Sequence, residues 1–238
     1  MRKRSKYEDP SSPLKYGIDY ASQFYRSKAV AEDYDFHRFS TPERQRRNAR
    51  KWAAIESALD YVGDVHAILD LPCGTGRFTG ALARRGHEVV GSDISLEMIR
   101  QAARAPGAGN GAINGAINGY VQADGGQLPF CDGAFDCVVA IRFTLHIEPE
   151  PRVRILREFH RVARRWLIID YRHCYTFRYP LRRARWKLGL ARKPLVRVSR
   201  RELEEEFRRA GFTLRKIVRV SWPLFSDKWI AVGERVSA

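Results

Sequence analysis

The stretch LDLPCGTGRF, residues 69–78, places a glycine-bearing loop directly after an apolar run. The run at residues 65–71 predicts a short buried strand, and residues 77–85 predict a helix that ends at Gly86. A strand, a glycine loop and a helix in this order are typical of the first unit of an α/β sheet that binds its ligand at the loop. The stretch therefore predicts an α/β fold with a ligand site at this loop.

Strands and helices alternate along the rest of the chain. Further strands are predicted at residues 88–92, 120–123, 135–141 and 166–171, with helices at 96–103 and 151–164. This alternation predicts a doubly wound, parallel sheet with helices on both faces. The last two strands, at 214–221 and 228–233, have only a short connection between them. They are expected to pair as an antiparallel hairpin.

Glycine loops of this kind hold several ligands, and the spacing of their residues separates the alternatives. A nicotinamide site usually has the pattern GxGxxG, whereas Gly74, Gly76 and Gly80 have the looser spacing GxGxxxG. A phosphate loop needs GxxxxGK followed by Ser or Thr, and the residues after this loop do not match it. Asp70, at the end of the first strand, would repel a pyrophosphate but attract a ligand that carries an ammonium and a sulfonium. The loop therefore favours a cationic ligand.

Two more acids follow the next two strands. Asp93 lies 23 residues after Asp70 and could accept both hydroxyls of a ribose. Asp124 could accept from an adenine amino group. Each acid alone would serve equally well as a helix cap or a turn residue. Three acids at the carboxyl ends of successive strands converge on one crevice, however, and together they predict an adenosine site.

Four segments resemble, in order, the successive motifs of class I S-adenosylmethionine-dependent methyltransferases, most of all the type 11 subgroup. They are LDLPCGTGRF, VVGSDIS, VQADGGQLPF and FDCVVAIRFTLHI. The resemblance covers about residues 45–235 and implies a Rossmann-like, seven-stranded, mostly parallel sheet with a reversed C-terminal hairpin. It also implies S-adenosyl-L-methionine as the cofactor. Pro72 departs from the family, which usually has Gly there, and proline removes one backbone N–H donor.

The resemblance further implies roles for individual residues, and no metal site among them. Asp70, Leu71, Gly74 and Gly76 would bind the methionine end, Asp93 and Ile94 the ribose, Ala123 and Asp124 the adenine, and Ile141 and Arg142 would line the floor of the cofactor site.

The chemistry of methyl transfer requires acceptor and methyl group to be held in line, away from water. A hydroxyl acceptor also needs a base, and the candidates are His146, Tyr171 and His173, none of which the sequence singles out. The tetrapeptide Asn-Pro-Pro-aromatic, which marks amino-group methylation in related enzymes, does not follow the fourth strand. The sequence thus favours O-methylation of a small or lipid-linked, anionic acceptor.

Positive charge is the outlying feature of the composition. The chain has 43 Lys and Arg against 27 Asp and Glu, a net charge of +16, which attracts polyanions or reflects an arginine-rich genome. Residues 171–199 form a basic insertion without any acid but with interleaved aromatic side chains. This insertion predicts contact with an anionic acceptor or an anionic membrane surface. The insertion could instead be a solvated lid without a partner. The alternative functions are an RNA methyltransferase, which binds nucleic acid there, and a non-catalytic cofactor-binding or scaffold protein.

The ends and loops complete the sequence predictions. Residues 1–40 are expected to form a basic arm and helical cap, and residues 41–238 the methyltransferase domain. No run reaches the roughly 18 apolar residues of a transmembrane helix, and the N-terminus lacks the apolar segment of a secretory signal. The four cysteines form no CxxC pair, so free thiols and a cytoplasmic location are expected. Residues 107–119, which repeat Asn-Gly-Ala-Ile, are expected to form a surface loop.

Overall fold

A computed structural model describes residue 31 and residues 40–105, 116–144, 147–176, 178–190, 196–222 and 226–236. The helices are α1 (Pro42–Val62), α2 (Arg77–Arg84), α3 (Leu96–Arg104), α4 (Pro149–Val162), α5 (Arg178–Lys187) and α6 (Arg200–Arg209). The strands are β1 (Ala67–Asp70), β2 (Glu88–Asp93), β3 (Ile117–Gln122), β4 (Phe135–Ala140), β5 (Ala163–Arg172), β6 (Phe212–Arg219) and β7 (Lys228–Arg235). The predicted arm and cap at residues 1–40 lie outside the described residues, apart from residues 31 and 40.

All seven strands form one sheet in the order β3-β2-β1-β4-β5-β7-β6. Strands β1 to β5 pair in parallel, and β7 runs antiparallel between β5 and β6. The chain moves outward from β1 to β3 on one side and then continues on the other side with β4. The order thus reverses between β1 and β4, which is where doubly wound sheets bind their ligands.

Two hydrophobic cores cover the two faces of the sheet, because β1, β4 and β5 alternate buried side chains to both sides. One core joins α4 and α6 to the sheet through Leu156, Phe159 and Phe207. The other joins α1 and α2 to it through Ile55, Leu59 and Leu82. The predicted α/β fold, with helices on both faces and a C-terminal hairpin, is therefore confirmed.

The helix boundaries follow local capping signals. Helix α1 begins at Pro42 behind Thr41, whose Oγ1 accepts from the backbone N–H of Arg44 at 3.4 Å. Helix α6 begins with a capping box between Ser199 and Glu202. Short polar side chains thus satisfy the first N–H groups of both helices and determine where they start.

The third strand overlaps the predicted strand at residues 120–123, but it starts three residues earlier than the sequence predicted. β3 begins at Ile117, within the segment 107–119 that was expected to be a loop. Ile117 is buried and pairs with Val89 of β2, while Gly119 has a φ of +142° beside a register shift. Tertiary burial of one isoleucine outweighs the turn propensity of the Asn-Gly dipeptide here.

Among the described residues, we find no helix that is both long enough and apolar enough to span a membrane.

Candidate cofactor site and acceptor side

Asp70 ends β1 at the point where the strand order reverses, and its carboxylate is almost completely buried. Thr79 of α2 donates its hydroxyl to Oδ2 of Asp70 at 2.6 Å. Oδ1 has no hydrogen-bond partner among the described residues. Burial raises the pKa of Asp70 to about 7, because a low dielectric disfavours the charged form. The site thus holds a buried oxygen that can accept from a ligand.

The glycine loop turns the chain from β1 into α2. Gly74 and Gly76 have φ values of +54° and +76°, which glycine adopts without steric cost. A Cβ at Gly74 would meet no atom within 4 Å, whereas a Cβ at Gly76 would lie 2.9 Å from the hydroxyl of Tyr120. Gly74 therefore borders open space, and Gly76 allows close packing behind the loop. The Leu71–Pro72 peptide bond is cis.

Asp93 ends β2 and ties the glycine loop to the second strand. The backbone N–H of Gly74 donates to its Oδ2 at 2.9 Å, and that of Ser95 donates to its Oδ1 at 2.9 Å. Asp93 is buried, and burial raises its pKa. Leu71 and Ile94 directly follow the acids that end β1 and β2, which places both at the same crevice.

Asp124 lies in the loop after β3, next to the same edge of the sheet. The backbone N–H of Ala123 donates to the carbonyl of Asp93 at 3.1 Å, which brings this loop against the second acid. Asp124 itself is exposed, and its Oδ1 accepts from the backbone N–H of Gly126 at 2.8 Å. The three predicted acids therefore follow neighbouring strands at one edge, two of them buried and one in an exposed turn.

The residues that follow β4 contact the buried ion pair between Lys51 and Asp170. Ile141 is buried, and Arg142 has a φ of +69° while its N–H donates to Oδ1 of Asp170 at 2.6 Å. Lys51 of α1 donates to Oδ2 of the same carboxylate at 2.6 Å. Thr144 also donates its hydroxyl to the carbonyl of Asp170 at 2.7 Å. The floor of the crevice is thereby connected to β5 and to α1.

Further cations surround this pair on the α1 face of the sheet. Arg172 and Lys228 are directly opposite each other in the β5–β7 pairing, and Arg172 lies two residues beyond Asp170, so all three side chains share one face. Arg172 and Arg197 both donate to Oδ2 of Asp227, at 2.8 and 2.6 Å.

Among the described residues, no Asp or Glu carboxylate lies within hydrogen-bonding distance of the Lys228 amine. Burial, then repulsion by Lys51 and Arg172, lowers the pKa of its amine to about 8. We name Lys51, Arg142, Arg172, Arg197 and Lys228 the cation cluster.

Tyr171, one of the candidate bases, faces the other side of the sheet. Its hydroxyl donates to Oε1 of Glu206 at 2.8 Å, and Arg152 lies over its ring. Burial, followed by the charge of Glu206, holds the pKa of the Tyr171 hydroxyl well above its usual value. The structure therefore separates Tyr171 from the crevice and gives its hydroxyl a structural partner.

His173, the second candidate, is buried between aromatic rings. Its ring stacks on Trp229 at 4.5 Å between centroids, and its Nδ1 accepts from the backbone N–H of Tyr175 at 3.2 Å. Burial lowers the pKa of His173, so this ring stays neutral as a packing group. The third candidate, His146, lies outside the described residues.

The sequence prediction missed residues that act through distant partners. Lys51 lies among many cations in α1, and its partner Asp170 is 119 positions away, so no local pattern distinguishes it. Lys228 was missed for the same reason. Thr79 carried a weak signal, since it is a polar residue on the buried face of α2, where Leu82 and Ala83 also pack.

Comparison with known proteins identifies a family for part of this chain. Residues 68–165 match a family model described as "Methyltransferase domain". Residues 68–165 therefore carry a class I S-adenosylmethionine-dependent methyltransferase domain. The predicted family and its cofactor, S-adenosyl-L-methionine, are thus confirmed at the level of the family.

Curated relatives of this methyltransferase domain match part of their own length. The putative methyltransferase YqeM of Bacillus subtilis is 37% identical over 89 residues, 37% of this chain and 32% of that protein. The ubiquinone/menaquinone biosynthesis C-methyltransferase UbiE of Pasteurella multocida is 34% identical over 132 residues, 51% of this chain and 46% of that protein. The chain therefore spans between about a third and a half of these relatives.

Solved structures extend the likeness of the methyltransferase fold beyond the matched segment. Magnesium protoporphyrin IX methyltransferase from Synechocystis PCC 6803, crystallised with bound SAH, has a TM-score of 0.63 and 18% identity to this chain. The superposition covers 88% of this chain and 99% of that one. At this identity the likeness shows the shared fold.

Proposed function

We propose that this chain transfers the methyl group of S-adenosyl-L-methionine to an oxygen atom of a small or lipid-linked acceptor that carries an anionic group. One observation carries the proposal. Oδ1 of Asp70 is buried without a partner among the described residues, at the reversal of strand order and next to the loop that Asp93 holds. A buried acceptor without a donor is costly, and an ammonium is a strong donor for a carboxylate.

The roles of the cofactor-binding residues follow from this arrangement. When bound, the cofactor would supply a methyl group on a sulfonium sulfur: the acceptor oxygen would bond to the methyl carbon as the carbon–sulfur bond breaks, and the thioether would leave. Asp70 accepts from the ammonium of the methionine end, and Gly74 leaves room beside it. Asp93 would accept from the ribose, since its two oxygens offer about four lone-pair sites, more than the backbone N–H groups of Gly74, Ile94 and Ser95 occupy. The other proposed contacts are Leu71, Gly76, Ile94, Ala123, Asp124, Ile141 and Arg142.

The cation cluster supports an anionic acceptor. Within the cluster, Lys51, Arg172, Arg197 and Lys228 share two carboxylates, Asp170 and Asp227, which leaves an excess of two positive charges among these four beside the crevice floor. Like charges repel strongly where they are partly buried. A carboxylate or phosphate on the acceptor would relieve this repulsion and place the acceptor next to Ile141 and Arg142.

Oxygen is the methylated atom in this proposal, because the sequence after β4 is Ile-Arg-Phe-Thr and lacks the tetrapeptide typical of amino-group methylation. We propose no proton transfer by Tyr171 or His173, since the contacts of both are structural. An acceptor hydroxyl would release its proton to water, and an acceptor carboxylate has no proton to lose. The chain has four free cysteines, which suits the cytoplasmic location that we propose.

Calorimetry tests the cofactor assignment without any knowledge of the acceptor. We expect S-adenosyl-L-methionine to bind in the micromolar range and NADH to give no heat. Asp93→Ala should abolish binding, because it removes the ribose acceptor and releases the glycine loop together. Asp132→Ala, at an exposed acid elsewhere, is the control. Heat with NADH alone would contradict the proposal.

Label transfer tests the acceptor class. Methyl-labelled cofactor would be offered with RNA, membrane lipids and small metabolites from a cell extract, and the acidic products collected on an anion exchanger. We expect label in the acidic lipid or metabolite fraction, and the carbon chemical shift of the transferred methyl group should be that of an oxygen-bound methyl. Label in RNA alone would favour the RNA methyltransferase, and cofactor binding without turnover would favour the scaffold protein.

Lys228→Gln tests the cation cluster in the same assay. We expect the Michaelis constant for the acidic acceptor to rise by at least tenfold, as expected for loss of a charged hydrogen bond, with the affinity for cofactor unchanged. Lys216→Gln, at a lysine over the ring of Tyr61 outside the cluster, should leave both constants unchanged. Equal effects of the two variants would contradict a role for the cluster in acceptor binding.

A further inference from the structure

Helix α5 and the turn that follows it combine positive charge with apolar side chains. Residues 178–190 contain five Lys and Arg and no Asp or Glu. In the same segment Leu181, Leu188 and Leu190 are 65%, 72% and 67% exposed, and Trp186 is 37% exposed. Surface leucines are ordinary when they are scattered singly, but a group of them marks an interaction surface. No partner within the described part of this chain buries these leucines.

The side chains are arranged as in an amphipathic helix. Leu181, Ala184 and Leu188 recur at intervals of three and four residues, so they lie along one side of α5. Arg185 and Lys187 flank that side. Long basic side chains beside an apolar stripe can extend outward to anionic groups while their stems cover the apolar surface. Helix α5 has no role in the packing of the sheet, because its side chains from 180 to 187 are exposed.

The base of this segment is anchored at the carboxyl edge of β5. The N–H of Val198 donates to the carbonyl of Arg172 at 2.8 Å, and the N–H of Cys174 donates to the carbonyl of Val198 at 3.2 Å. The guanidinium of Arg197 lies 4.7 Å from the ring centre of Tyr179, at the start of α5. The helix is therefore held at the edge of the sheet where the cofactor crevice opens.

We propose that α5 docks this protein on an anionic lipid surface, with Leu181, Leu188 and Leu190 among the acyl chains and the flanking cations Arg185 and Lys187 at the headgroups. Both parts of the surface have a counterpart in such a membrane: anionic headgroups for the cations and acyl chains for the leucines. RNA would use the cations and could stack on Trp186, but it offers nothing for three exposed leucines. Docking would turn the crevice edge towards the membrane. The inference does not depend on the proposed methyl transfer.

Sedimentation with lipid vesicles tests the docking. The full chain would be mixed with vesicles of phosphatidylcholine, alone or with phosphatidylglycerol, and the bound fraction measured. We expect binding to the anionic vesicles only. Leu181→Ser with Leu188→Ser should weaken it by about tenfold or more, since two apolar side chains leave the lipid. Arg185→Gln with Lys187→Gln should weaken it about twenty-five-fold, at about fivefold for each cation.

Matched controls use similar residues elsewhere on the surface. Leu96→Ser changes an exposed leucine of α3, and Arg154→Gln with Arg201→Gln removes two exposed cations from α4 and α6. These variants should bind anionic vesicles within about twofold of the unchanged chain, less than the effect of one interfacial cation. Equal binding to neutral vesicles, no binding to anionic vesicles, or full binding by the leucine variant would each overturn the proposal. So would RNA that binds more tightly than the vesicles and is unaffected by the leucine changes. None of these measurements requires turnover, so failure here is distinct from failure of the methyl-transfer proposal.

Discussion

At the scale of single residues, the site depends on how burial changes the properties of a carboxylate. Asp70 is held by Thr79 through one oxygen and leaves the other for a ligand. Its pKa, raised by burial to about 7, means that much of the ligand-free protein carries a neutral Asp70 near neutral pH. A ligand ammonium stabilises the charged form, so ligand binding and loss of the Asp70 proton are coupled.

This coupling predicts the pH dependence of cofactor binding. Below the raised pKa of Asp70 the ligand must displace a proton, so affinity should fall by up to about tenfold per pH unit as the pH decreases below about 7. Affinity should fall again above about pH 8, where an α-amino group loses its own proton. Calorimetry with S-adenosylhomocysteine, which has the same amino group, would measure both limbs and the protons released.

Asp70→Asn provides the control for this pH profile. The amide keeps the shape and cannot titrate, so binding should be weaker at every pH and the acidic limb should disappear. Asp93, whose pKa burial also raises, is unchanged in this variant. An acidic limb that persists in Asp70→Asn would assign the pH dependence to Asp93 instead.

At the scale of elements, a buried ionic cluster joins α4, α6 and β5. Arg152 donates from two nitrogens to the carboxylate of Glu206, with the second contact at 2.6 Å, and Tyr171 donates to the same carboxylate. Arg152 also donates to the carbonyl of Ile147 at 2.9 Å, which anchors the chain between β4 and α4. The cluster therefore positions the segment that follows Ile141 and Arg142, the proposed floor of the cofactor site.

Removing one member of this cluster should destabilise the whole domain. Arg152→Met leaves Glu206 buried without its cation, and we expect the free energy of unfolding to fall by about 3–5 kcal/mol. Urea unfolding would measure it, with Arg154→Met, an exposed neighbour on the same helix, as the control. The double variant Arg152→Met with Glu206→Leu should recover most of the loss, since it leaves no buried charge. Equal stability of Arg152→Met and Arg154→Met would contradict this role of the ion pair.

The order of the elements was predictable from the sequence, whereas some of their limits were not. The prediction placed a strand before the glycine loop and a helix after it, and β1 and α2 occur there. This succeeded because the spacing of apolar residues and the position of glycines determine secondary structure locally. The predicted start of β3 was wrong because Ile117 becomes buried only when β2 lies beside it. Likewise, the sequence predicted a hairpin, but the insertion of β7 between β5 and β6 depends on long-range pairing.

At the scale of the whole molecule, the net charge of +16 is distributed between two kinds of environment. Part of it is partly buried around Asp170 and Asp227, and part is exposed on α5. Both lie towards the carboxyl end of β5 and the start of β7, at the edge of the sheet that holds the candidate cofactor crevice. A field of one sign at the opening raises the local concentration of anionic partners, which agrees with the acceptor and the lipid surface that we propose.

The sequence by itself determined the fold class, the family and the candidate cofactor residues. These depend on short motifs and on their order along the chain, both of which can be read without any knowledge of tertiary contacts. LDLPCGTGRF and the acids Asp93 and Asp124 belong to this group. Only the tertiary structure decided which candidates share an environment. It paired Lys51 with Asp170, placed Lys228 beside Arg172, and turned Tyr171 towards Glu206 on the opposite face. The physical reason is that burial, shared faces and ion pairs depend on distances between residues far apart in sequence, which exist only after the sheet has formed.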